Sequence, residues 1–321
     1  MVGSAMAIDL TTNFEVTVTD VSTEALRRLA AKKPAIKTKQ ADLRDKALLK
    51  SLIQDFDYVL NAVPGSMGYA TLKVIIEAGK DVVDISFFPE NSLDLQALAL
   101  EKGVTAIVDC GVAPGMDNII LGHYDTKMKL DTFDCLVGGL PKVRKWPFAY
   151  KAPFSPSDVI EEYTRPARYV ENGVIVTREA LTDPELLEFE GIGTLESFNT
   201  DGLRSIMFTM SHIPNMKEKT LRYPGHIEYI RVLRETGFFG EDEIEVNGQK
   251  MKPLDMTSKL LFAEWKLGDT EPEFTVMRVV VSGVEGKQRK TVTYDLYDEY
   301  DPKTQTSSMA RTTGYTCLLY T

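Results

Sequence analysis

Short apolar, β-branched segments alternate with helix-forming segments throughout the first third of the chain. The predicted strands are 14–20, 36–42, 58–63, 82–86 and 104–108, and the predicted helices between them are 22–31, 48–56, 69–78 and 92–102. A strand, a helix and a further strand in succession form a crossover unit, and such units build parallel sheets. The pattern therefore predicts an α/β fold with a parallel sheet.

The first twenty residues resemble the second half of a dinucleotide-binding motif. The segment 1–7 is helix-forming, Gly3 fits the third glycine of G-x-G-x-x-G, and Asp20 fits the acid that binds the ribose 2′-OH. A turn-forming role is the alternative for Asp20. We hypothesise that the numbered sequence begins inside the motif, with the first strand and two glycines upstream. Because no arginine directly follows Asp20, NAD is predicted in preference to NADP.

Two further strand ends carry small or acidic residues. Asn61, Val63 and Pro64 end strand 58–63, where small residues allow the backbone to approach a pyrophosphate or the nicotinamide ribose. Asp42 ends strand 36–42 and is predicted either to approach the adenine or to cap the next helix. All four are candidate cofactor-binding residues.

The loop after strand 104–108 is the most informative segment for function. It contains Asp109, Gly111 and Gly115 and leads into an apolar helix that begins near Asn118. Ligands bind outside the carboxyl ends of parallel strands, and glycine lets backbone N–H groups approach a ligand. Gly111 and Asn118 are therefore candidate cofactor contacts. The alternatives are an ordinary strand–turn–helix connection and a helix cap at Asn118.

The alternation ends at about residue 120, and an α+β, mainly antiparallel region follows. Its predicted strands are 132–137, 194–199, 217–223, 274–281 and 291–297, and its predicted helices are 226–235 and 254–267. Asn247 and Gly248 predict a two-residue hairpin turn between short strands.

Composition excludes several classes of function. The net charge of −10 argues against nucleic-acid binding. The three cysteines and three histidines are scattered without metal-ligand spacing, so no metal site is predicted and a reducing, cytoplasmic compartment is expected. No apolar run approaches the ~18 residues of a membrane helix, and no membrane association is expected.

A set of ordered motifs resembles the saccharopine dehydrogenase-like family, especially the branch that contains L-lysine 6-dehydrogenase and saccharopine reductase. The motifs cover nearly the whole chain and are DCGVAPGMDN (109–118), GGLP (138–141), FSPSDVIEEYTRPARYV (154–170), GTLESFNTDGLRS (193–205), LRYPGH (221–226) and MARTTGYT (309–316). The chain departs from the family at Pro224, where members often carry arginine.

The resemblance implies a division of the chain and an activity. Residues 1–120, with about 300–321 as a returning C-terminal helix, would form a Rossmann-type NAD(P)-binding domain, and 121–300 an inserted α+β domain for substrate binding and homodimer formation. The implied reaction moves hydride between NAD(P) and a carbon–nitrogen carbon of lysine or a lysine-derived amino acid. A carboxynorspermidine-type polyamine dehydrogenase and a non-catalytic nucleotide-binding protein are the alternatives.

Oxidation of an amine carbon requires a clamp for the substrate carboxylate. Arginine suits the clamp because its guanidinium binds a carboxylate through two hydrogen bonds. Arg204 is the first candidate, and Arg222 could partly substitute for the arginine that Pro224 replaces. Arg165 and Arg168 are alternatives, although a charged helix face explains them equally well.

The same reaction requires a group that takes the proton from the substrate nitrogen. Lys151 is a candidate because burial readily lowers the pKa of lysine, and His226 because the pKa of histidine lies near neutrality. Asp109 is predicted to orient the partner or the ammonium group. Tyr150 and Thr200 are predicted to contact the substrate.

Overall fold

The structure, a computed structural model, describes residues 2–318 and divides into two compact units. The first unit comprises Met1–Met116 and Ala310–Thr321, and the second comprises Asp117–Met309. The sequence placed these divisions at about residues 120 and 300. No helix within residues 2–318 is long and apolar enough to span a membrane.

The first unit is built from alternating strands and helices, as the sequence predicts. Its elements are α1 (Val2–Leu10), β1 (Thr17–Asp20), α2 (Thr23–Lys32), β2 (Lys37–Gln40), α3 (Lys46–Leu52), β3 (Tyr58–Asn61), α4 (Gly65–Glu77), β4 (Asp81–Asp84), a 3-10 helix (Ser92–Leu95), α5 (Gln96–Lys102) and β5 (Ala106–Ile107).

The strands of this unit pair in parallel, which confirms the predicted α/β fold. Strand β1 pairs with β2, and β3, β4 and β5 form a second ladder in that order. No ladder among residues 2–318 joins the two pieces. The prediction of an upstream first strand concerns sequence outside these 321 residues and stays a prediction.

Local chemistry sets the ends of the helices. The Ser22 hydroxyl accepts a hydrogen bond from the Ala25 N–H at the start of α2, and Asp45 caps α3 in the same way. Gly103 ends α5 in the left-handed conformation (φ 64°) that glycine adopts without strain. Each cap satisfies backbone groups that the helix itself leaves unpaired.

The second unit is formed by the middle of the chain, Asp117–Met309. Its elements are α6 (Met116–Asp125), β6 (Lys129–Pro141), α7 (Pro156–Thr164), β7 (Ala167–Glu171), β8 (Val174–Arg178), β9 (Glu185–Phe189), β10 (Gly193–Asn199), α8 (Ile206–Thr209), β11 (Asn215–Arg222), α9 (His226–Glu235), β12 (Ile244–Val246), β13 (Gln249–Met251), α10 (Pro253–Trp265), β14 (Glu273–Glu285) and β15 (Gln288–Glu299).

An eight-stranded mixed sheet forms the centre of this unit. Its main path runs β15-β14-β6-β11-β10-β9, with β7 paired to β11 and β8 paired to β7. The β6–β11 pair is parallel and the other pairs are antiparallel. The predicted antiparallel character is therefore correct except at β6–β11.

The final helix, α11 (Ser308–Leu318), returns to the first unit. Cys317 is buried in an apolar cluster with Met6, Val83 and Cys110. This cluster joins the end of the chain to α1 and to the strands of the first unit.

Candidate active site

Asn61 and Asp84 form a buried polar pair at the carboxyl ends of β3 and β4. The two residues lie opposite each other in the parallel ladder, and Asn61 Nδ2 donates a 2.8 Å hydrogen bond to Asp84 Oδ2. The Ser86 N–H donates to the other oxygen of Asp84 at 2.6 Å. Desolvation, reinforced by the charge of Asp109, raises the pKa of Asp84 to about 6 against the opposing effect of these hydrogen bonds.

Asp84 was absent from the sequence-based candidates. The signal that could have found it was an acidic residue inside the predicted strand 82–86, at the sheet edge where ligands bind. Asn61 was a candidate, and the structure gives its side chain a fixed orientation toward Asp84.

A tight turn follows β5. Asp109 is buried and adopts a left-handed conformation (φ 56°), which is unfavourable for a residue other than glycine. The Gly111 N–H donates to the Pro114 carbonyl at 2.8 Å. Gly115 (φ 147°) lies so close that a Cβ there would sit 2.0 Å from the Gly111 carbonyl oxygen. Such a turn admits glycine only, and strained residues of this kind cluster at functional sites.

The remaining cofactor candidates of the first unit differ in their exposure and in their hydrogen-bond partners. Asp20 is exposed at the end of β1 and accepts a 2.7 Å hydrogen bond from the Ser22 N–H, so the turn-forming interaction is present. Asp42 is paired with Arg44, whose hydrogen bonds lower the pKa of this carboxyl to about 2. Pro64 is the residue that precedes α4, and Val63 beside it is half-buried.

The predicted close packing at Gly3 is absent from the structure. A Cβ at this position would lie 3.7 Å from Ala62 Cβ, an ordinary van der Waals contact. Alanine would therefore fit at Gly3, and close packing does not require glycine there.

Asn118 lies in the first turn of α6, where its Oδ1 is buried and receives no hydrogen bond from residues 2–318. The cap interaction that was the alternative for this residue would need a backbone N–H donor to that oxygen, so the structure excludes it. An unsatisfied buried acceptor fits an external N–H donor such as a nicotinamide carboxamide. That interaction stays a prediction.

In the second unit, a chain of hydrogen bonds connects three buried side chains. Arg222 Nε donates to the Tyr163 hydroxyl at 3.1 Å, and the Tyr163 hydroxyl lies 2.9 Å from His226 Nε2. His226 Nδ1 lies 2.9 Å from the Phe148 carbonyl oxygen, which can only accept. The imidazole therefore carries its proton on Nδ1, and Tyr163 donates to Nε2.

Arg222 is a buried cation held in an aromatic cage. Its guanidinium lies 4.4 Å from the Tyr150 ring centroid and forms a 2.8 Å ion pair with Glu162. It also donates to the Tyr150 hydroxyl and to the Leu221 carbonyl. Because the ion pair already engages this guanidinium, a substrate carboxylate would have to compete with Glu162.

The chemistry predicted for His226 is wrong in one respect. Burial, reinforced by the charge of Arg222, lowers the pKa of His226 to about 3 rather than leaving it near neutrality. With both ring nitrogens hydrogen-bonded, the imidazole is a neutral member of the network. Its position favours the orientation of Tyr163 over proton abstraction.

The other substrate-site candidates lie apart from this network. Lys151 Nζ donates to the Glu264 carbonyl near the end of α10, which is a structural contact. Arg204 is buried with a left-handed backbone (φ 46°). Thr200 is buried and donates a 2.9 Å hydrogen bond to Glu218 Oε2.

The two alternative arginines form ion pairs within the second unit. Arg165 directly follows α7 and forms an ion pair with Glu161 in that helix, and its role as a clamp stays a prediction. Arg168 lies in β7, not on a helix, and binds Asp201 through Nε at 2.9 Å and Nη2 at 2.7 Å. Among residues 2–318, no three His, Cys, Asp or Glu side chains form a group that could hold a metal ion.

The sequence-based candidates missed Glu162, Tyr163 and Glu218. The first two belong to the motif 154–170, whose charged and aromatic residues are typical of a surface helix. Glu218 stands in a strand between two lysines and is typical of an exposed position. Only their placement in the folded chain distinguishes these three.

Comparison with known proteins assigns the family. Residues 1–107 match the saccharopine dehydrogenase NADP binding domain, and residues 111–321 match the saccharopine dehydrogenase C-terminal domain. The chain belongs to the saccharopine dehydrogenase family. The predicted family and its NAD(P)-dependent oxidoreductase character are confirmed.

Curated relatives of this saccharopine dehydrogenase family member share about a quarter of its residues. It is 25% identical over 289 residues to carboxyaminopropylagmatine dehydrogenase of Synechocystis sp., covering 84% of the chain and 70% of that protein. It is 25% identical over 264 residues to the NADP(+), L-glutamate-forming saccharopine dehydrogenase of Pyricularia oryzae, covering 78% of the chain and 58% of that protein.

Solved structures share the fold of this chain. Apo saccharopine dehydrogenase (L-Glu forming) from Saccharomyces cerevisiae superposes with a TM-score of 0.76 at 21% identity, covering 99% of this chain and 88% of that one. Homospermidine synthase from Legionella pneumophila gives a TM-score of 0.64 at 13% identity, covering 96% and 78%. The predicted Rossmann-type domain followed by an α+β domain is confirmed.

Proposed function

We propose that this protein is a dehydrogenase that moves hydride between a nicotinamide dinucleotide and the carbon of a C–N bond in lysine or a lysine-derived amino acid. The supporting observation is the polar edge of the first unit, where Asn61 and Asp84 are hydrogen-bonded at 2.8 Å at the ends of β3 and β4. In a Rossmann fold, this is the edge along which a dinucleotide lies. The names of the relatives supply the amine chemistry.

Two local features fit a dinucleotide. A Cβ at Gly115 would lie 2.0 Å from the Gly111 carbonyl oxygen, so the turn after β5 needs glycine at this position. Asn118 Oδ1, in the first turn of α6, is a buried acceptor that a carboxamide N–H would satisfy. When bound, the nicotinamide supplies hydride acceptance and donation. The protein's own groups bind and orient the reactants.

The choice between NAD and NADP depends on the end of β1. The exposed Asp20 carboxylate favours the ribose 2′-OH of NAD and repels a 2′-phosphate. The matched domain is described as NADP-binding, and the Pyricularia oryzae relative uses NADP(+). Both cofactors therefore belong in the test.

A carboxylate clamp would orient the amino-acid substrate, and Arg204 is the residue proposed for it. Arg204 is buried in the loop after β10, and it is the first clamp candidate from the sequence. Precise orientation of reactants supplies up to about 7–11 kcal/mol of barrier reduction. Replacing Arg204 by alanine is expected to raise the KM for an amino-acid substrate far more than the KM for the cofactor.

A carboxyaminopropylagmatine-type reaction is the second candidate. It rests on the relative from Synechocystis sp., whose alignment covers 84% of this chain. Such a substrate shares the amine with the first candidate and differs in its cationic end.

A panel of substrates tests the proposal. L-lysine, saccharopine and carboxyaminopropylagmatine are each supplied with NAD⁺ and with NADP⁺, and absorbance of the reduced nicotinamide is followed. Turnover of lysine or saccharopine supports the leading proposal, and turnover of only the third substrate supports the second candidate. Turnover of none, with cofactor binding retained, would indicate a non-catalytic nucleotide-binding protein. Light scattering and cell fractionation test the predicted homodimer and cytoplasmic location.

A further inference from the structure

Glu218 is a buried acid in the middle of the second unit's sheet. It lies in β11 and is only 3% exposed. The Thr200 hydroxyl donates to its Oε2 at 2.9 Å. Oε1 receives no hydrogen bond from any residue in the described part of the chain. A carboxyl group in this setting has unused acceptor capacity.

Two other acids in the interior of this unit each form an ion pair with an arginine. Glu162 forms a 2.8 Å ion pair with Arg222, and Asp201 forms a 2.7 Å ion pair with Arg168. No Lys, Arg or His within residues 2–318 lies within ion-pair distance of Glu218. A buried charge without a partner is costly.

The surrounding loop is shaped to receive this carboxyl group. A Cβ at Gly202 would lie 2.0 Å from Glu218 Oε2, so the glycine leaves the space that the carboxyl occupies. Thr200 Oγ1 also lies 3.0 Å from Thr220 Oγ1, which fixes the hydroxyl that binds Oε2. The loop from Thr200 to Arg204 is buried throughout, which is unusual for a connecting segment.

The groups around Glu218 favour its neutral form. Desolvation raises the pKa of Glu218 well above its usual value, and the negative charges of Glu162, Asp117 and Asp201 raise it further, against the Thr200 hydrogen bond. Asp117 is itself fully buried. An acid in such surroundings becomes an anion when a cation is brought to it.

We propose that Glu218 binds the ammonium group of the amine substrate, with Oε1 as the acceptor and the Thr200–Gly202 loop holding the carboxyl in place. The inference rests on the proposed function, because that reaction requires an amine substrate. A carboxylate bound to an ammonium through a charge-assisted hydrogen bond also satisfies the otherwise unpaired oxygen.

Binding in this way has a definite proton balance. The substrate arrives as R–NH₃⁺ and meets the protonated Glu218 carboxyl. The complex contains R–NH₃⁺ and Glu218–COO⁻, so one proton passes to solvent for each substrate bound. No bond other than the O–H bond of the carboxyl is broken.

Titration calorimetry on the full chain at pH 7 measures both affinity and released protons. L-lysine, saccharopine and 1-aminobutane are titrated in two buffers of different ionisation enthalpy. The wild-type chain is expected to release about one proton per bound amine. Glu218→Gln is expected to release none and to bind about 100-fold more weakly, a loss typical of a buried charge pair. Asp134→Asn removes a carboxyl from a neighbouring strand and is the matched control, with binding unchanged.

Two further results keep the inference separate from the proposed function. Gly202→Ala displaces the Glu218 carboxyl and is expected to weaken amine binding, although the carboxyl and the substrate ammonium are both still present. Equal affinity and equal proton release in wild type and Glu218→Gln would overturn the inference, even if lysine or saccharopine is oxidised. Glu218-dependent proton release with 1-aminobutane, in a chain that oxidises no amine of the panel, would uphold the ammonium site and reject the proposed function.

Discussion

The Tyr163 hydroxyl donates a 2.9 Å hydrogen bond to His226 Nε2, and this contact determines what the histidine can do. The ring's other nitrogen donates to the Phe148 carbonyl. Arg222, which donates to the same tyrosine hydroxyl, adds a positive charge that opposes protonation of the ring. His226 is therefore a fixed neutral acceptor that orients Tyr163.

The stability of the protein is expected to fall in acid partly because of His226. The pKa of His226 is about 3 in the folded chain, mainly through burial, and about 6.5 when unfolded. The unfolded chain therefore binds a proton first as the pH falls. Stability from the neutral ring is complete above pH 6.5 and is lost between pH 6.5 and 3, by up to ~5 kcal/mol. Urea unfolding of the wild type and of His226→Gln across this pH range measures the loss of stability. Identical pH slopes in the two proteins would contradict the assignment.

Removal of Arg222 is expected to destabilise the fold strongly. Arg222→Met leaves Glu162 in the interior without its 2.8 Å partner, a change that costs about 3–5 kcal/mol. The double variant Arg222→Met/Glu162→Gln removes the unpaired charge and is expected to recover much of that stability. Denaturant midpoints of the wild type, both single variants and the double variant form the measurement. Additive effects of the two substitutions would argue against coupling of the pair.

Asp84 is expected to lower stability as the pH rises. Burial raises its folded pKa to about 6, whereas the unfolded carboxyl ionises near 3.8. Between these values the unfolded chain loses its proton first, so stability falls by about 3 kcal/mol as the pH rises from 4 to above 6. Asp84→Asn removes this dependence together with one hydrogen bond from Asn61 or Ser86. In thermal melts, the melting temperature of Asp84→Asn relative to that of the wild type should be higher at pH 7 than at pH 4. A constant difference would contradict the raised pKa.

Asp20 is expected to determine cofactor preference. If its exposed carboxylate binds the ribose 2′-OH, Asp20→Ser lowers kcat/KM for NAD by about 10–100-fold, the effect of removing one charge-assisted hydrogen bond. The kcat/KM for NADP should rise, because repulsion of the 2′-phosphate is removed. Asp57→Ser, which removes an exposed acid just before β3, is the control. Unchanged preference in Asp20→Ser would show that the residue only forms the turn at Ser22.

Most elements with strong local patterns could be predicted from the sequence. The helix His226–Glu235 has its predicted bounds, and the predicted hairpin turn at Asn247 and Gly248 joins two short strands. The sequence-based description lacked α7 and strands β7, β8 and β9. Strands β7, β8 and β9 are only five residues long and each carries charged residues, so their sequences show no clear alternation of apolar and polar residues.

Local sequence was sufficient for the α/β alternation, the helix caps and the tight glycine turns, because each depends on residues that are close together in the chain. The meeting of distant polar groups required the folded chain. Glu162 and Arg222 are 60 positions apart, and Tyr163 and His226 are 63 apart. Burial then set their chemistry, since desolvation and a neighbouring charge shift a pKa in ways that periodicity does not encode. Glu218 shows this most clearly: among neighbouring lysines in the sequence it is typical of a surface residue, yet the fold buries it and gives it no cationic partner among residues 2–318.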